Sequence, residues 1–495
     1  MSRHREMTAA ARLVRGTWNE HAGPATAWDS GDSERGDENE PLKSQSRRRS
    51  LRSSSILLGN LRERVRCRVG TLVLLSGASA TEAVIYTLEL PNHLSEDHRL
   101  PLAQAEFIFL TYTIGCVAAT PFLAPITRAL GCNSAICAGL LTLGLAQLCY
   151  AFSATLPAFV CTRLVSGFAA GLIRAAVLTR CHQMSLREAN MGTLFGTVIS
   201  SVSIGSMVGP ALGGLLFRAG GWHMPLLIAA AACLLFAAFI AMVLPEDEEH
   251  SLGGEQQLAS AGPLRVLCSW RLLAVLVMVY CGAMVFSSVD EVLPSRLERD
   301  YGHTQTQAAF IFTIISVSFG VGATSIGIYV DISGRALRVS MAGMVGLCAT
   351  LPLFALPLPH WSLFAPVAML FGVSATAQLI PASTLLEQVA SVAVFRHTTL
   401  TYAVFNSAYV SGVAVGPSLL VSLTQQLGFE VGALCLSLGA LTLSGAAAFT
   451  VSVLQLEATS YPGPPPTSPL LGLSESAAHL DWADDHGPAK ASIYN

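Results

Sequence analysis

The sequence predicts an all-α membrane protein whose twelve transmembrane helices form two six-helix pseudo-repeats around a central cavity. Three observations lead to this fold class: the composition, the number of long apolar runs, and landmarks that recur at a nearly fixed spacing. Of the 495 residues, 52% are hydrophobic and only 12% are charged, whereas roughly 25% are charged in an ordinary soluble domain. This composition excludes a soluble globular enzyme, and the net charge of −3 indicates no basic surface for nucleic acid.

Charged residues are concentrated towards the two ends of the chain. The central 385 residues hold only 32 of the 61 Asp, Glu, Lys and Arg side chains. About 20 apolar residues suffice to cross a bilayer, and their backbone groups must be hydrogen-bonded within a helix there. The expected parts are a disordered cytoplasmic tail 1–68, a six-helix bundle 69–244, a cytoplasmic linker 245–270, a second six-helix bundle 271–453 and a disordered cytoplasmic tail 454–495.

Twelve apolar runs divide the central part of the chain, and each is predicted as a transmembrane helix. A polar linker that contains Glu246 and Pro263 separates the first six runs from the second six. The first six runs are 69–91, 105–126, 134–153, 156–179, 192–217 and 223–244. The second six runs are 271–293, 307–330, 337–357, 361–386, 398–423 and 429–453.

Landmarks in the first half recur in the second half at nearly constant spacing. A spacing of 203 residues separates Pro91 from Pro294 and Gly131 from Gly334, and 207 residues separate Gly209-Pro210 from Gly416-Pro417. Duplicated six-helix halves with a site at their interface are the architecture of alternating-access transporters. The repeat therefore predicts a substrate cavity between the two halves.

Basic residues in the short loops predict the orientation, because such residues favour the cytoplasmic side. The arginines that precede the first run lie on the same side as four further basic loops, which contain Arg128, Arg180, Arg335 and Arg396. Both termini are therefore expected in the cytoplasm. The sequence leaves open whether the membrane is the plasma membrane or that of an acidic organelle.

The fifth run contains regularly spaced glycines and a proline. Gly205, Gly209 and Gly213 follow one another at four-residue spacing, which places them on one helical face and lets a neighbouring helix approach closely. Pro210 removes a backbone donor and bends the helix, and Gly214 extends the string. A kinked and tightly packed helix is suited to sealing one side of a cavity. The alternative is that Gly and Pro are simply common in membrane helices.

The loop after the eighth run carries an acidic residue and a basic residue close together. In the string Gly327-Ile-Tyr-Val-Asp331-Ile-Ser-Gly334-Arg335, Asp331 can accept hydrogen bonds from a helix N-terminus or can pair with Arg335. A solvated loop pair is the alternative interpretation.

Ionisable residues inside the apolar runs are the candidate substrate and proton sites. A charge at the centre of a bilayer costs at least about 2.5–3.5 kcal/mol and persists only where it is paired or lines a wet cavity. Glu82 lies well inside the first run, and Asp290 and Glu291 lie in the seventh. Arg163 and Arg174 share one face of the fourth run, although Arg174 can also extend its side chain to the interface. The alternative for Glu82 is a structural carboxyl group bonded to a neighbouring helix.

These motifs resemble those of the major facilitator superfamily. The loop string is similar to its G-x-x-x-D-x-x-G-R motif, the fifth run to its antiporter motif, and Arg163-Leu-Val-Ser-Gly167 to its span-four arginine motif. More narrowly, the chain resembles the drug:proton antiporter branch, with the vesicular amine transporter family and fungal multidrug exporters. Two segments carry that narrower likeness, 121–131 and 402–418.

The resemblance implies roles for particular residues. Glu82 falls where the amine transporters have a substrate-engaging aspartate, and Arg163 becomes a cavity residue that favours the ionised form of a nearby carboxylate. One of Asp290 and Glu291 is expected to face the cavity. Tyr112 and Asn406 replace a lysine and an aspartate that pair in that family.

The expected function is export or sequestration of a small organic compound in exchange for protons, by a monomer in the lipid bilayer. Drugs, metabolites and amines are all candidate substrates, and the resemblance implies neither a cofactor nor a metal ion. An uncoupled facilitator and a non-transporting sensor on the same fold remain alternatives. A membrane enzyme is disfavoured, because the histidines lie in tails, loops or run ends without metal-ligand spacing.

Overall fold

A computed structural model of the chain describes residues 68–88, 102–185, 190–243, 270–289, 292–293, 296–297, 305–356, 361–392 and 398–460. The expected tails before 68 and after 460, and the linker apart from Trp270, lie outside the described residues. Within these ranges the regular structure includes twelve long α-helices and two 3₁₀ turns. The α-helices are α1 Arg68–Leu88, α2 Leu102–Leu130, α3 Cys132–Ala151, α4 Leu156–Ser185, α5 Met191–Gly220, α6 His223–Val243, α7 Trp270–Ser287, α8 Gln305–Ser333, α9 Ala336–Thr350, α10 Phe364–Val392, α11 Thr398–Leu427 and α12 Phe429–Ser460.

Eleven of these helices, and α9 together with the 3₁₀ turn that follows it (Ala336–Ala355), each contain a stretch long and apolar enough to cross a membrane. The predicted fold class, a twelve-helix membrane protein, is confirmed. Two departures are equally large. Helix α12 continues to Ser460, seven residues beyond the predicted end at 453 and into the tail predicted to be disordered, and the ninth run was expected to be helical as far as residue 357. The α-helix ends at Thr350, because Pro352 lacks the backbone N–H that another helical turn requires, and a 3₁₀ turn follows at Pro352–Ala355.

Four glycines with positive φ show the internal repeat at the level of the backbone. Gly131 (φ 82°) and Gly334 (φ 64°) end α2 and α8, and Gly221 (φ 66°) and Gly428 (φ 82°) end α5 and α11. Each donates its N–H to the carbonyl four residues earlier, at 2.8–3.0 Å. Such left-handed caps favour glycine because it has no Cβ. Gly131 and Gly334 are 203 residues apart, and Gly221 and Gly428 are 207 residues apart. These are the spacings that separate the landmarks in the sequence.

The two halves meet along small residues and hydroxyl groups. A Cβ built at Gly196 of α5 would clash with the backbone of Ala323 in α8. Ser200 Oγ in α5 donates to the Gly320 carbonyl at 2.5 Å, and Ser203 Oγ donates to the Ser316 carbonyl at 2.6 Å. Because small side chains let helix backbones approach closely, α5 and α8 form a tight contact between the halves.

Candidate functional site

An ion pair between α1 and α4 is at the centre of the N-terminal half. Glu82 in α1 is 0% exposed. Arg174 in α4 donates from Nε to Glu82 Oε2 at 2.9 Å and from Nη2 to Glu82 Oε1 at 2.8 Å. The Tyr112 hydroxyl of α2 donates to the same Oε1 atom. The carboxylate is therefore held by three hydrogen bonds from two helices, which offsets the cost of burying its charge.

The arginine beside Glu82 differs from the one that was expected there. Arg163, the arginine of the span-four motif, is 1% exposed, and its guanidinium carbon lies 4.9 Å from the ring centroid of Tyr150 and 5.9 Å from that of Tyr112. These distances allow cation–π contacts. The expectation that Arg163 is the arginine that acts on Glu82 is corrected: the guanidinium bonded to Glu82 is that of Arg174.

Helix geometry explains this correction. Glu82 is 14 residues from the start of α1, or about 21 Å along the axis at 1.5 Å per residue. Helix α4 runs in the opposite direction, so its depth is counted from its last residue, Ser185. Arg174 then lies about 17 Å from that end and Arg163 about 33 Å. A long arginine side chain bridges the smaller mismatch. The predicted end of the fourth run at residue 179 would have placed Arg163 closer to the depth of Glu82, so the observed end at Ser185 decides the pairing.

A cavity of about 160 Å³ lies between the two halves. Arg174 lines it, together with residues of α1, α2, α5, α8, α10 and α11. Aromatic side chains contribute from both halves: Tyr86, Tyr112, Phe195, Phe319, Phe405 and Tyr409. Pockets of this kind, mostly apolar with a few placed polar groups, are typical of small-molecule sites.

Tyr112 and Asn406 both line this cavity, but each forms its hydrogen bond with a different residue. Tyr112 donates to Glu82, whereas Asn406 Nδ2 in α11 lies 3.4 Å from Cys116 Sγ in α2. One turn away, the hydroxyls of Thr120 and Ser407 are hydrogen-bonded to each other. Uncharged hydrogen bonds thus join α2 and α11 where the resemblance implies an ion pair in the amine transporters.

The glycines of α5 lie against α1. A Cβ at Gly205 would be 2.5 Å from the Ala80 carbonyl oxygen, and a Cβ at Gly209 would be 2.9 Å from the Val84 carbonyl oxygen. Both distances are too short for a side chain. Gly213 is buried and Pro210 is exposed. For a Cβ at Gly214 no neighbouring atom lies within 4 Å among the described residues, so the proposed packing role of Gly214 is corrected.

The C-terminal half repeats this close approach. A Cβ built at Gly416 of α11 would be 2.5 Å from Ser287 Oγ in α7, and one at Gly412 would be 2.5 Å from the Tyr280 carbonyl oxygen. Pro417 is buried next to Gly416. Helices α1 with α5, and α7 with α11, are therefore equivalent tightly packed pairs.

Asp331, at the end of α8, bonds to the first residues of α5. Its Oδ1 accepts the Gly192 N–H at 2.9 Å, and its Oδ2 accepts the Thr193 N–H at 2.7 Å and the Thr193 hydroxyl at 2.6 Å. The carboxylate thus satisfies free amides at a helix N-terminus. Arg335 is exposed at the start of α9 and Gly334 provides the turn before it. We call the contact of Asp331 with Gly192 and Thr193 the α8–α5 cap.

A second polar contact joins the halves at the same end of the bundle. Ser185 Oγ of α4 donates to Glu387 Oε1 of α10 at 2.7 Å, and His182 Nδ1 lies 3.1 Å from the same oxygen. The sequence predicts no role for these residues, because each lies near a helix end and is unremarkable alone. Asp290 and Glu291 lie outside the described residues.

The chain matches the family model of the Major Facilitator Superfamily over residues 72–417. It is 23% identical to the human chromaffin granule amine transporter over 330 residues, which are 65% of this chain and 60% of that protein. It is also 23% identical to the human synaptic vesicular amine transporter over 313 residues, 62% of this chain and 59% of that protein. With the mouse MFS-type transporter SLC18B1 the identity is 24% over 255 residues, 49% of this chain and 54% of that protein.

The matched segment thus spans less than two thirds of the length of these curated relatives. Their names describe transporters, and the described helices of this chain have the number and length that a multi-pass transporter requires. The family model covers more than half of the chain. This protein therefore belongs to the Major Facilitator Superfamily of membrane transporters.

Proposed function

We propose that this chain is a proton-coupled secondary transporter that moves a small amphipathic organic compound through the central cavity by alternating access. Glu82 is the group that takes up and releases the proton. The observation that carries the proposal is a fully buried carboxylate in a membrane-spanning helix, bonded to an arginine on the cavity wall. Ionisable groups in such positions mark proton and substrate pathways.

The Glu82–Arg174 pair gives the coupling a physical basis. While Glu82 is ionised, the pair has no net charge. Protonation of Glu82 removes its charge and leaves Arg174 with an uncompensated positive charge at the cavity, which is a costly arrangement in a low-dielectric site. The cavity therefore alternates between net charges of 0 and +1, and a charged substrate binds the two states differently.

The charge of the substrate decides whether it moves in the same direction as the proton or in the opposite direction. A cation is repelled by the +1 state and is exchanged for the proton. That exchange, with export or sequestration of the substrate, is the coupling that the resemblance implies, and the names of the amine transporters among the relatives support an amine as the substrate. An anion is attracted by the +1 state and travels with the proton, which the position of Arg174 on the cavity wall supports.

The test of proton coupling is transport by the full chain in proteoliposomes under an imposed pH gradient. Glu82→Gln keeps the size of the side chain but fixes the neutral state. We expect this variant to insert and to exchange substrate across equal concentrations, and to lose accumulation driven by the pH gradient. Glu82→Asp should retain part of that accumulation because the acid remains.

Glu430→Gln is the matched control, because Glu430 is exposed in the first turn of α12 and its replacement should leave accumulation unchanged. Undiminished accumulation by Glu82→Gln would contradict the assignment and direct attention to Asp290 and Glu291. Flux that never responds to the pH gradient would instead identify an uncoupled facilitator. Binding without any flux would identify a sensor.

The orientation and location are part of the same proposal. Both termini lie in the cytoplasm, so that the α8–α5 cap lies at the cytoplasmic end of the bundle. The protein works as a monomer in the lipid bilayer of the plasma membrane or of an acidic organelle. The basic loops on the side of the N-terminus support this orientation.

A further inference from the structure

The two members of the buried ion pair differ in their access to the cavity. Glu82 is 0% exposed and is not part of the cavity wall, whereas the side chain of Arg174 is 21% exposed and lines it. Among the lining residues in the described part of the chain, Arg174 is the charged one. A substrate in the cavity therefore meets the cation of this pair.

Glu82 also has no exposed surface, and it already accepts three hydrogen bonds. Its Oε1 receives hydrogen bonds from Tyr112 and from Arg174, and its Oε2 receives one from Arg174. An ammonium group in the cavity would have to displace Arg174 to reach the carboxylate. That displacement would leave the guanidinium without its counter-charge, at a cost that the new ion pair does not recover.

Protonation of Glu82 has the opposite consequence for an anion. It weakens the bonds from Arg174, because a charged acceptor becomes a neutral one. The guanidinium then needs another acceptor, and its planar fork matches carboxylate and sulfonate oxygens. An anion supplied from the cavity replaces the charge that the proton has neutralised, so proton binding and anion binding each favour the other.

We propose that the cavity takes an amphipathic organic anion, with one carboxylate or sulfonate group on Arg174, and that the anion is carried together with the proton taken up by Glu82. This inference rests on the proposed proton coupling and specifies its direction and substrate class. Apolar walls accommodate the remainder of the molecule, with Phe195 and Phe319 from opposite halves beside Phe405. Hydroxyl groups of Tyr86 and Tyr409 add donors.

Other ionisable groups that face Glu82 are few. Helix α2 presents Tyr112 and Cys116, α4 presents Arg174, and α6 presents Cys233. The stretch of α5 that packs on α1, residues 198–213, has no ionisable side chain. Tyrosine and cysteine remain neutral over the working pH range in apolar surroundings. Glu82 is therefore the carboxyl group at this site to which we assign the proton.

The experiment uses three probes that share a phenylpropyl body and differ only in the head group: 3-phenylpropane-1-sulfonate, 3-phenylpropan-1-ol and trimethyl(3-phenylpropyl)ammonium. The two ions are permanently charged, so pH changes act on the protein alone. Binding to the full chain in nanodiscs is measured by thermal stabilisation across pH. We expect the sulfonate to bind, with affinity rising by up to about tenfold for each unit of falling pH, the limit for uptake of one proton together with the anion.

Variants separate a binding role of Arg174 from a structural one. Arg174→Gln should lose sulfonate binding, and Arg174→Lys should recover part of it because the positive charge is restored. Glu82→Gln should bind the sulfonate at every pH, without the pH dependence. The control is Arg180→Gln: Arg180 lies on the same helix and donates to Gln183 at 3.0 Å, outside the cavity wall, so sulfonate affinity should not change.

Transport then tests the direction of coupling. In proteoliposomes, sulfonate uptake should rise when the outside is acidic, with protons entering alongside it. Exchange of the ammonium probe for protons, with no sulfonate binding, would overturn the organic-anion proposal while leaving proton coupling at Glu82 intact. Sulfonate flux that ignores the pH gradient would defeat the proposed proton coupling instead. A sulfonate that stabilises the chain at no pH would overturn the inference directly.

Discussion

The C-terminal ends of α2 and α8 occupy equivalent positions in the two halves, yet an arginine in one corresponds to an aspartate in the other. Asp331, near the end of α8, corresponds to Arg128 near the end of α2, 203 residues earlier. Asp331 accepts the first amides of α5, whereas Arg128 is exposed. Helix α11, which begins at Thr398, is the equivalent of α5, because its start follows that of α5 by 207 residues.

This difference shows that the repeat fixes the backbone without fixing the contacts between the halves. A helix N-terminus carries a partial positive charge, which an aspartate stabilises and an arginine does not. The C-terminal half can therefore cap a helix of the N-terminal half, but the side chain of Arg128 cannot accept amides in return. At this end of the bundle, therefore, Asp331 of the C-terminal half caps a helix of the N-terminal half, and Arg128 provides no equivalent cap in the other direction.

By contrast, the close glycine contacts are the same in both halves. Gly209 faces α1 and Gly416 faces α7, again 207 residues apart. His182 and Glu387, which meet across the halves, are 205 residues apart, and so are the helix-contact glycines Gly167 and Gly372. Equivalent residues that touch each other must lie near the pseudo-two-fold axis.

The largest effect is expected from breaking the shared glycine contact. Gly209→Leu places a branched side chain against Thr87 and the Val84 carbonyl oxygen, and overpacking typically costs ~1–3 kcal/mol. Transport should be lost while membrane insertion persists, as measured by flux and by surface labelling. Gly214→Leu is the control, because that position faces open space. Normal flux from Gly209→Leu would show that α5 is not closely packed there.

A smaller effect is expected from weakening the α8–α5 cap. Asp331→Asn keeps the shape but removes the charge that binds the Gly192 and Thr193 amides. Hydrogen bonds to charged groups contribute about 1.5–3 kcal/mol, and the amide oxygen of Asn retains part of that contribution. The α8–α5 cap should therefore open more often without being abolished. Hydrogen exchange should rise in the first turn of α5, with Asp331→Glu as the conservative comparison. Unchanged exchange at these amides would mean that the cap does not hold this end closed.

The comparison can be sharpened by making the two helix ends alike. Arg128→Asp introduces an acceptor where the repeat places the partner of the α11 N-terminus. A favourable charge at a helix end contributes roughly 0.3–1 kcal/mol, so exchange in the first turn of α11 should slow modestly. Arg128→Asn, which removes the positive charge without adding a negative one, should have less effect. Equal effects of the two variants would contradict capping by the new carboxylate.

The smallest effect is expected at the contact of Glu387 with Ser185 and His182, near the pseudo-two-fold axis. Glu387→Gln retains an acceptor for the Ser185 hydroxyl but loses its negative charge. A typical hydrogen bond contributes about 0.5–1.5 kcal/mol, and part of that contribution remains. The accessibility of this end of the bundle to water, measured by thiol labelling of Cys181 beside His182, should therefore rise only slightly. A larger rise than that of Asp331→Asn would reverse the proposed ranking of the two contacts.

Much of the fold follows from the sequence because its determinants are local. The length and apolar composition of each run predict a membrane-spanning helix, and the spacing of Gly131 and Gly334 predicts equivalent turns. Glu82 stands out as a candidate because a carboxyl group inside an apolar run has few structural explanations. The early end of α9 could also have been predicted, since Pro352 lies within the ninth run.

The sequence alone determined twelve helices, their repeat and the buried acid; the tertiary structure decided which residues meet. Arg174 rather than Arg163 bonds to Glu82 because the relative depth of α1 and α4 sets which side chain reaches the carboxylate. Asp331 bonds to α5 because the halves pack with that N-terminus beside the α8 loop. Gly214 has open space while Gly209 has none, although both belong to one string. Such contacts join residues distant in sequence, and packing, not local pattern, fixes them.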